Sequence, residues 1–299
     1  MIPSRARPFP RPGLAGLAAV LLAGLLAFGS CAAAAVEHLE IARLQVAVWL
    51  PKPGTAGPWP VLVFSHGFHG CGTQSSFLTS SLADAGYAVF APDHRDAACA
   101  DLRRWADRPE VAFGKPARWT DSSYADRAQD IEHLLDALAA EPRFRAYPLD
   151  LNHVGLVGHS LGGYTVLGLA GAWERWKDPR VKAVLALSPY AQPFTVQRSL
   201  GGLAGIPVMY QGGTRDIGIT PFVEGPDGAY AQSPAPKYFV EFDGAGHFAW
   251  TDLNPAHQAA IIEYSRAFLD HALGGKPFPP ALARTGEGVF DFRAGPEPH

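Results

Sequence analysis

The sequence predicts an α/β fold, a single domain built on a mostly parallel sheet with helices on both faces. Three observations predict it. Apolar runs of strand length alternate with helix-period segments along most of the 299 residues, as in a sheet covered on both sides. One run, Val154 to Val157, ends in Gly158-His159-Ser160-Leu161-Gly162 and opens a helix-period segment, so a serine falls on a tight strand-to-helix turn. The composition, 47% hydrophobic with only 18% charged residues, supports a large core and neither a disordered chain nor a coiled coil.

Residues 1–35 stand apart. Arg5, Arg7 and Arg11 precede an apolar run from Leu14 to Phe28 and small residues from Gly29 to Ala35. That is the pattern of a secretory signal peptide, with cleavage among Ala33 to Ala35. The apolar run is shorter than the roughly twenty residues that span a bilayer. Cys31 offers a lipid anchor as the alternative, although Phe28 is bulky for the position three before a lipidated cysteine. The folded domain is expected over residues 36–275 and a C-terminal tail over 276–299.

Within the domain, Glu37 to Leu50 alternates and reads as one or two edge strands. Pro60 to Ser65 is a buried strand ending in His66-Gly67, Ser75 to Ala85 a helix, and Tyr87 to Pro92 the next strand. Ala97 to Thr120 has no clear period and carries Trp105, Phe113 and Trp119 among arginines. It follows a strand, at the carboxyl ends where open α/β sheets bind ligands, and reads as a small lid or pocket wall, or else as an ordinary packed loop. Asp121 to Ala140 is amphipathic, with Ile131, Leu134, Leu135 and Leu138 on one stripe. His153 to Val157 is the strand before the serine turn and Tyr164 to Trp176 the helix after it. Val181 to Leu187, Pro207 to Gln211 and Lys237 to Phe242 are three more strands, and Pro255 to Leu273 is a closing helix. The Pro- and Gly-rich tail is expected to be partly extended.

The net charge of -3 gives no basic excess, which argues against nucleic acid or an anionic membrane surface as partner. Cys71 and Cys99 match no zinc spacing. In an oxidising compartment, with both just past the ends of neighbouring strands, they are expected to form a disulfide. Closing that loop stabilises by about 3–4 kcal/mol on chain entropy. Two inert thiols are the alternative.

A serine hydroxyl is a poor nucleophile until an imidazole takes its proton, and the imidazole needs a carboxylate to fix its tautomer. On a strand–turn–helix elbow the partners follow in the order Ser, Asp or Glu, His. Downstream of Ser160 stand His247, His257, His271 and His299. His247 lies in a glycine-rich loop directly after the last strand and is read as the base, while His257 and His271 fall on the closing helix. The loop after Leu187 reads Ser188-Pro189-Tyr190 and has no carboxylate; the loop after Gln211 reaches Asp216, which is read as the acid, with a turn-forming aspartate as the alternative. Asp243 is too close to His247 along the chain to turn back onto its ring, and Glu241 is expected at the surface. The oxyanion donors are expected to be the backbone N–H groups of Leu161 and Phe68. His66 reads as a packing residue.

These pieces carry a resemblance. Phe64-Ser65-His66-Gly67, Ala91-Pro92-Asp93-His94-Arg95-Asp96, Gly158-His159-Ser160-Leu161-Gly162-Gly163, Asp216 and Gly246-His247 together resemble the α/β-hydrolase superfamily. More narrowly the chain is similar to the branch of platelet-activating-factor acetylhydrolases, dienelactone-hydrolase-like proteins and cutinase-type polyesterases, over roughly Val46 to Leu273. Dienelactone hydrolases use cysteine where this chain has Ser160. The resemblance implies a secreted or periplasmic serine hydrolase acting on small, lipid or polymeric carboxylic esters, with Ser160 as nucleophile, Asp216 as acid, His247 as base, and no metal or cofactor. The same residues would serve a thioesterase, amidase or peptidase, and a non-catalytic binding protein on this fold is the alternative of a different class.

Overall fold

The computed structural model describes residues 36–280, 282–285 and 287–295. The expected signal peptide over 1–35, with Cys31, lies outside the described residues. Nine strands form one mixed sheet: β1 (Glu37–Ile41), β2 (Leu44–Trp49), β3 (Trp59–Ser65), β4 (Ala88–Pro92), β5 (Leu149–His159), β6 (Val181–Leu187), β7 (Val208–Gly213), β8 (Lys237–Phe242) and β9 (Val289–Ala294). Their spatial order is β1-β2-β4-β3-β5-β6-β7-β8-β9. The six strands from β4 to β8 run parallel, and β1, β2 and β9 are antiparallel to their neighbours. The helices are α1 (Ser76–Asp84), α2 (Ala125–Ala140), α3 (Leu161–Leu167), α4 (Gln192–Gln197), α5 (Thr220–Glu224), α6 (Ala229–Gln232) and α7 (Gln258–Ala272).

Successive strand side chains point to opposite faces, and that alternation divides the core in two. Val61, Val63, Phe90, Leu156 and Val184 pack against α2 and α3 through Ile131, Leu134, Leu135 and Tyr164. Leu62, Phe64, Val89, Val157 and Leu185 pack against α1 and α7 through Leu78, Leu82, Ile261 and Phe268. Strands buried on both faces read as continuous apolar runs, which is why they stand out in the sequence. The fold is thus a single α/β domain of the predicted class.

Three local expectations need correction. The helix expected over Tyr164 to Trp176 stops after α3: a wider turn follows over Gly168–Ala172, in which Gly171 adopts φ +126, and a Cβ there would also stand 2.3 Å from the Gly202 carbonyl oxygen. The expected tail contributes β9, which pairs antiparallel with β8 and covers that edge of the sheet. Glu241, expected at the surface, therefore lies opposite Asp291 of β9 and is only 4% exposed. Burial first, then the Glu224 and Asp291 carboxylates, pushes its carboxyl up to about 7.

Candidate active site

β5 carries Ser160 to the carboxyl end of the sheet and α3 begins at the next residue. Ser160 has φ +55 and ψ -115, a backbone that L-residues rarely adopt. The flanking glycines have a steric cause. A Cβ on Gly158 would stand 2.3 Å from the Gly162 carbonyl oxygen, and one on Gly162 would stand 1.9 Å from that of Ser65. The turn closes this tightly only without side chains there.

His247 follows β8 and reaches back to the serine, with its Nε2 accepting from the Ser160 hydroxyl at 2.9 Å. Its Nδ1–H faces Asp216 Oδ2 at 3.1 Å. Asp216 follows β7 and is 4% exposed. The structure therefore brings Ser160, Asp216 and His247 into one hydrogen-bonded line. The polarity follows from the partners, because a carboxylate accepts and so Nδ1 carries the proton. Such an imidazole can take a proton from the serine oxygen and hold it near a buried negative charge.

Ser188 is a fourth member that the sequence does not single out, because its loop carries no carboxylate. It follows β6, donates its hydroxyl to Asp216 Oδ2, and lies 2.9 Å from His247 Nδ1. The His247 loop is held from behind as well. Ser75 donates to the Trp250 carbonyl at 2.6 Å, Trp250 Nε1–H donates to Gln211 Oε1 at 2.9 Å, and Asp252 accepts the N–H groups of Ser76 and Phe77 at the start of α1.

The line opens on a cavity of about 950 Å³ whose wall includes Phe68, Ser160, Tyr190 and His247. Its mouth carries exposed apolar groups, Trp105, Ile217, Phe248 and Leu253. Leu161 opens α3, so its N–H is among the helix donors left without an intrahelical acceptor. Phe68 comes from the loop after β3 and packs on His69 and Phe113. The 97–120 segment is part pocket wall and part packed loop. Trp105 and Phe113 line the cavity, whereas Trp119 is fully buried against Tyr124, Tyr164 and Tyr190. A Cys71–Cys99 disulfide, Cα–Cα 5.9 Å, joins that segment to the Phe68 loop.

Beneath the Phe68 loop lies a buried polar cluster. Arg127, on α2 and fully buried, donates to the His66 carbonyl at 2.7 Å and pairs with Asp96 at 2.7 Å. Burial alone would raise the Asp96 carboxyl, but Arg127 overrides it and holds it well below the usual carboxylate range. Ser65 donates to His94 Nε2 at 2.9 Å, and His94 Nδ1–H donates to Asp130 at 2.8 Å. His66 accepts the His94 N–H at 3.0 Å, which agrees with its expected packing role. Burial first, then Arg127, pushes both imidazoles well below their ordinary value. Among the described residues no group of three or more His, Cys, Asp or Glu side chains could hold a metal ion.

Comparison with known proteins adds sequence relationships. A family model described as platelet-activating factor acetylhydrolase, isoform II, matches residues 17–121, the stretch with β1 to β4, the Phe68 loop and both cysteines of the disulfide. Platelet-activating factor acetylhydrolase of Cavia porcellus is 25% identical over 174 residues, covering 49% of this chain. The match spans 38% of that enzyme's length. In fold this chain is a single α/β domain on a mostly parallel sheet, and in sequence it is similar to the platelet-activating factor acetylhydrolases.

Proposed function

We propose that this chain is a secreted serine hydrolase that cleaves carboxylic esters through an acyl-enzyme. The observation that carries the reading is the hydrogen-bonded line from Ser160 through His247 to buried Asp216, opening on an apolar-mouthed cavity. Ser160 Oγ attacks the ester carbonyl as His247 Nε2 takes the hydroxyl proton. The oxyanion is held by the N–H groups of Phe68 and Leu161, each such donor being worth about 3–4 kcal/mol in the transition state. His247 then gives its proton to the departing alcohol, and water, deprotonated by the same Nε2, releases the acid and restores Ser160. Asp216 and Ser188 hold the imidazole in the tautomer this needs. Export to an oxidising compartment is supported by the Cys71–Cys99 bridge.

The apolar mouth formed by Trp105, Ile217, Phe248 and Leu253 favours esters with a hydrophobic acid or alcohol part, and the lipid ester in the relative's name falls in that class. A fluorophosphonate probe is expected to label Ser160, with Ser160→Ala abolishing both labelling and turnover of p-nitrophenyl esters. Labelling or turnover that survives this substitution overturns the reading.

A further inference from the structure

Three hydrogen bonds join the backbone segments that this mechanism has to hold in register. Gln74, just ahead of α1, accepts the Gly67 N–H on Oε1 at 2.9 Å. Its Nε2 donates to His159 Nδ1 at 3.0 Å. His159, the residue before Ser160, uses its Nε2 toward the His247 carbonyl at 2.9 Å. Both ends of this relay have fixed polarity, because Gly67 N–H can only donate and the His247 carbonyl can only accept. The amide of Gln74 and the tautomer of His159 therefore have a single arrangement, with every donor pointing the same way. Such a chain polarises itself and stiffens.

The surroundings are shaped to fit it. A Cβ on Gly70 would stand 2.1 Å from Gln74 Oε1, and one on Gly67 would stand 3.1 Å from His159 Nδ1. His159 is 2% exposed, and burial first, then nearby His247, pushes its imidazole down to about 3, so it stays neutral as the relay requires.

We infer that Gln74 and His159 are positioning residues that fix the oxyanion loop against the base, and through it against Ser160. The inference rests on the ester-hydrolase reading above. Neither side chain exchanges a proton with substrate. Gln74 sets the loop bearing Phe68, whose N–H must meet an oxygen that exists only in the transition state, and His159 sets the height of the His247 backbone.

The test compares Gln74→Leu, His159→Phe and the double variant in the full mature protein, with p-nitrophenyl acetate as substrate. Each single variant is expected to lower kcat about tenfold or more with KM changed less than about twofold. The double variant is expected to be no worse than the poorer single one, because a relay broken once is already lost. His159→Gln, whose amide can still reach the His247 carbonyl, should recover part of kcat and shows whether loss in His159→Phe comes from the bond or from misfolding. Unchanged kcat in either single variant, or losses that multiply in the double, overturns the inference. Ser160→Ala separates it from the underlying reading. If Ser160→Ala is inert while Gln74→Leu keeps full kcat, only the relay fails; if Ser160→Ala still turns over, the hydrolase reading fails first.

Discussion

Two Ser–His–Asp lines run through this molecule, and they differ in almost everything except their hydrogen bonds. In one, Ser160 donates to His247 at 2.9 Å and His247 faces Asp216 at 3.1 Å. In the other, Ser65 donates to His94 at 2.9 Å and His94 faces Asp130 at 2.8 Å. The serines end adjacent parallel strands or follow directly on them, Ser65 closing β3 and Ser160 following β5. Yet Ser65 is fully buried in ordinary strand backbone, with the Arg127 guanidinium 3.5 Å from its oxygen, and His94 is 2% exposed. A proton arriving on His94 would sit beside that cation in a dry interior, so the imidazole is a poor base. Both lines have a carboxylate behind the imidazole, but the first has a cavity in front and a turn that thrusts the hydroxyl outward. The same hydrogen bonds thus make a buried strut in one place and, in the other, a histidine and serine that open on a cavity.

The widest separation between the two lines should appear when each acid is neutralised in shape-preserving form. Asp216→Asn is expected to keep the fold and to lower kcat by about 10³- to 10⁴-fold, as for triad acids generally. Asp130→Asn should leave kcat within a few-fold. Comparable losses in the two variants, measured with the same ester, would erase the distinction.

Arg127→Leu is expected to destabilise by about 3–5 kcal/mol, because it leaves Asp96 as an unpaired buried charge. Urea unfolding would check this, and a change below about 1 kcal/mol would mean that the cluster is not what holds the Phe68 loop. Ser65→Ala, which removes the buried hydrogen bond to His94 and the longer one from Arg127, should cost about 1–2 kcal/mol and spare fluorophosphonate labelling at Ser160.

Acid sharpens the same contrast. His66, His94 and His159 have folded-state values depressed by burial, so below about pH 6.5 the unfolded chain takes up protons that the fold refuses, and stability falls with falling pH. Asp130 and Glu241, raised by burial to about 6 and about 7, act oppositely, because the fold holds protons that the unfolded chain releases. The three imidazoles are expected to outweigh the raised carboxyls of Asp130, Glu132 and Glu241, so stability falls as the pH drops from 6 to 5. A melting temperature that stays level or rises over that interval would contradict the balance.

How much of this was legible in the sequence depended on how locally each feature is encoded. The parallel strands announce themselves as unbroken apolar runs, and the elbow glycines are a local steric requirement around one serine. Asp216 and His247 could be picked out as neighbours of Ser160 because each lies a few residues past its strand. Ser188 escaped because its hydroxyl matters only once β6 and β7 lie side by side. The Ser65–His94–Asp130 line, made from residues 29 and 36 positions apart, has no local signature at all. In β9 the alternation of Val289-Phe290-Asp291-Phe292-Arg293 was present but follows a Pro- and Gly-rich stretch, and missing it also misplaced Glu241, which is buried only because β9 covers it.

The backbone of Ser160 has a consequence for the stability of the whole fold. A residue with a Cβ held at φ +55 and ψ -115 costs of order 1–3 kcal/mol, and every folded molecule carries that strain whether or not substrate is present. Glycine would relieve it. Ser160→Gly is expected to raise the unfolding free energy by about 1 kcal/mol over wild type, the remainder being offset by the greater freedom of glycine in the unfolded chain. Ser160→Ala keeps the Cβ and should gain none of it. The difference between those two variants measures how much stability the fold gives up at this one position to hold a side chain on the turn.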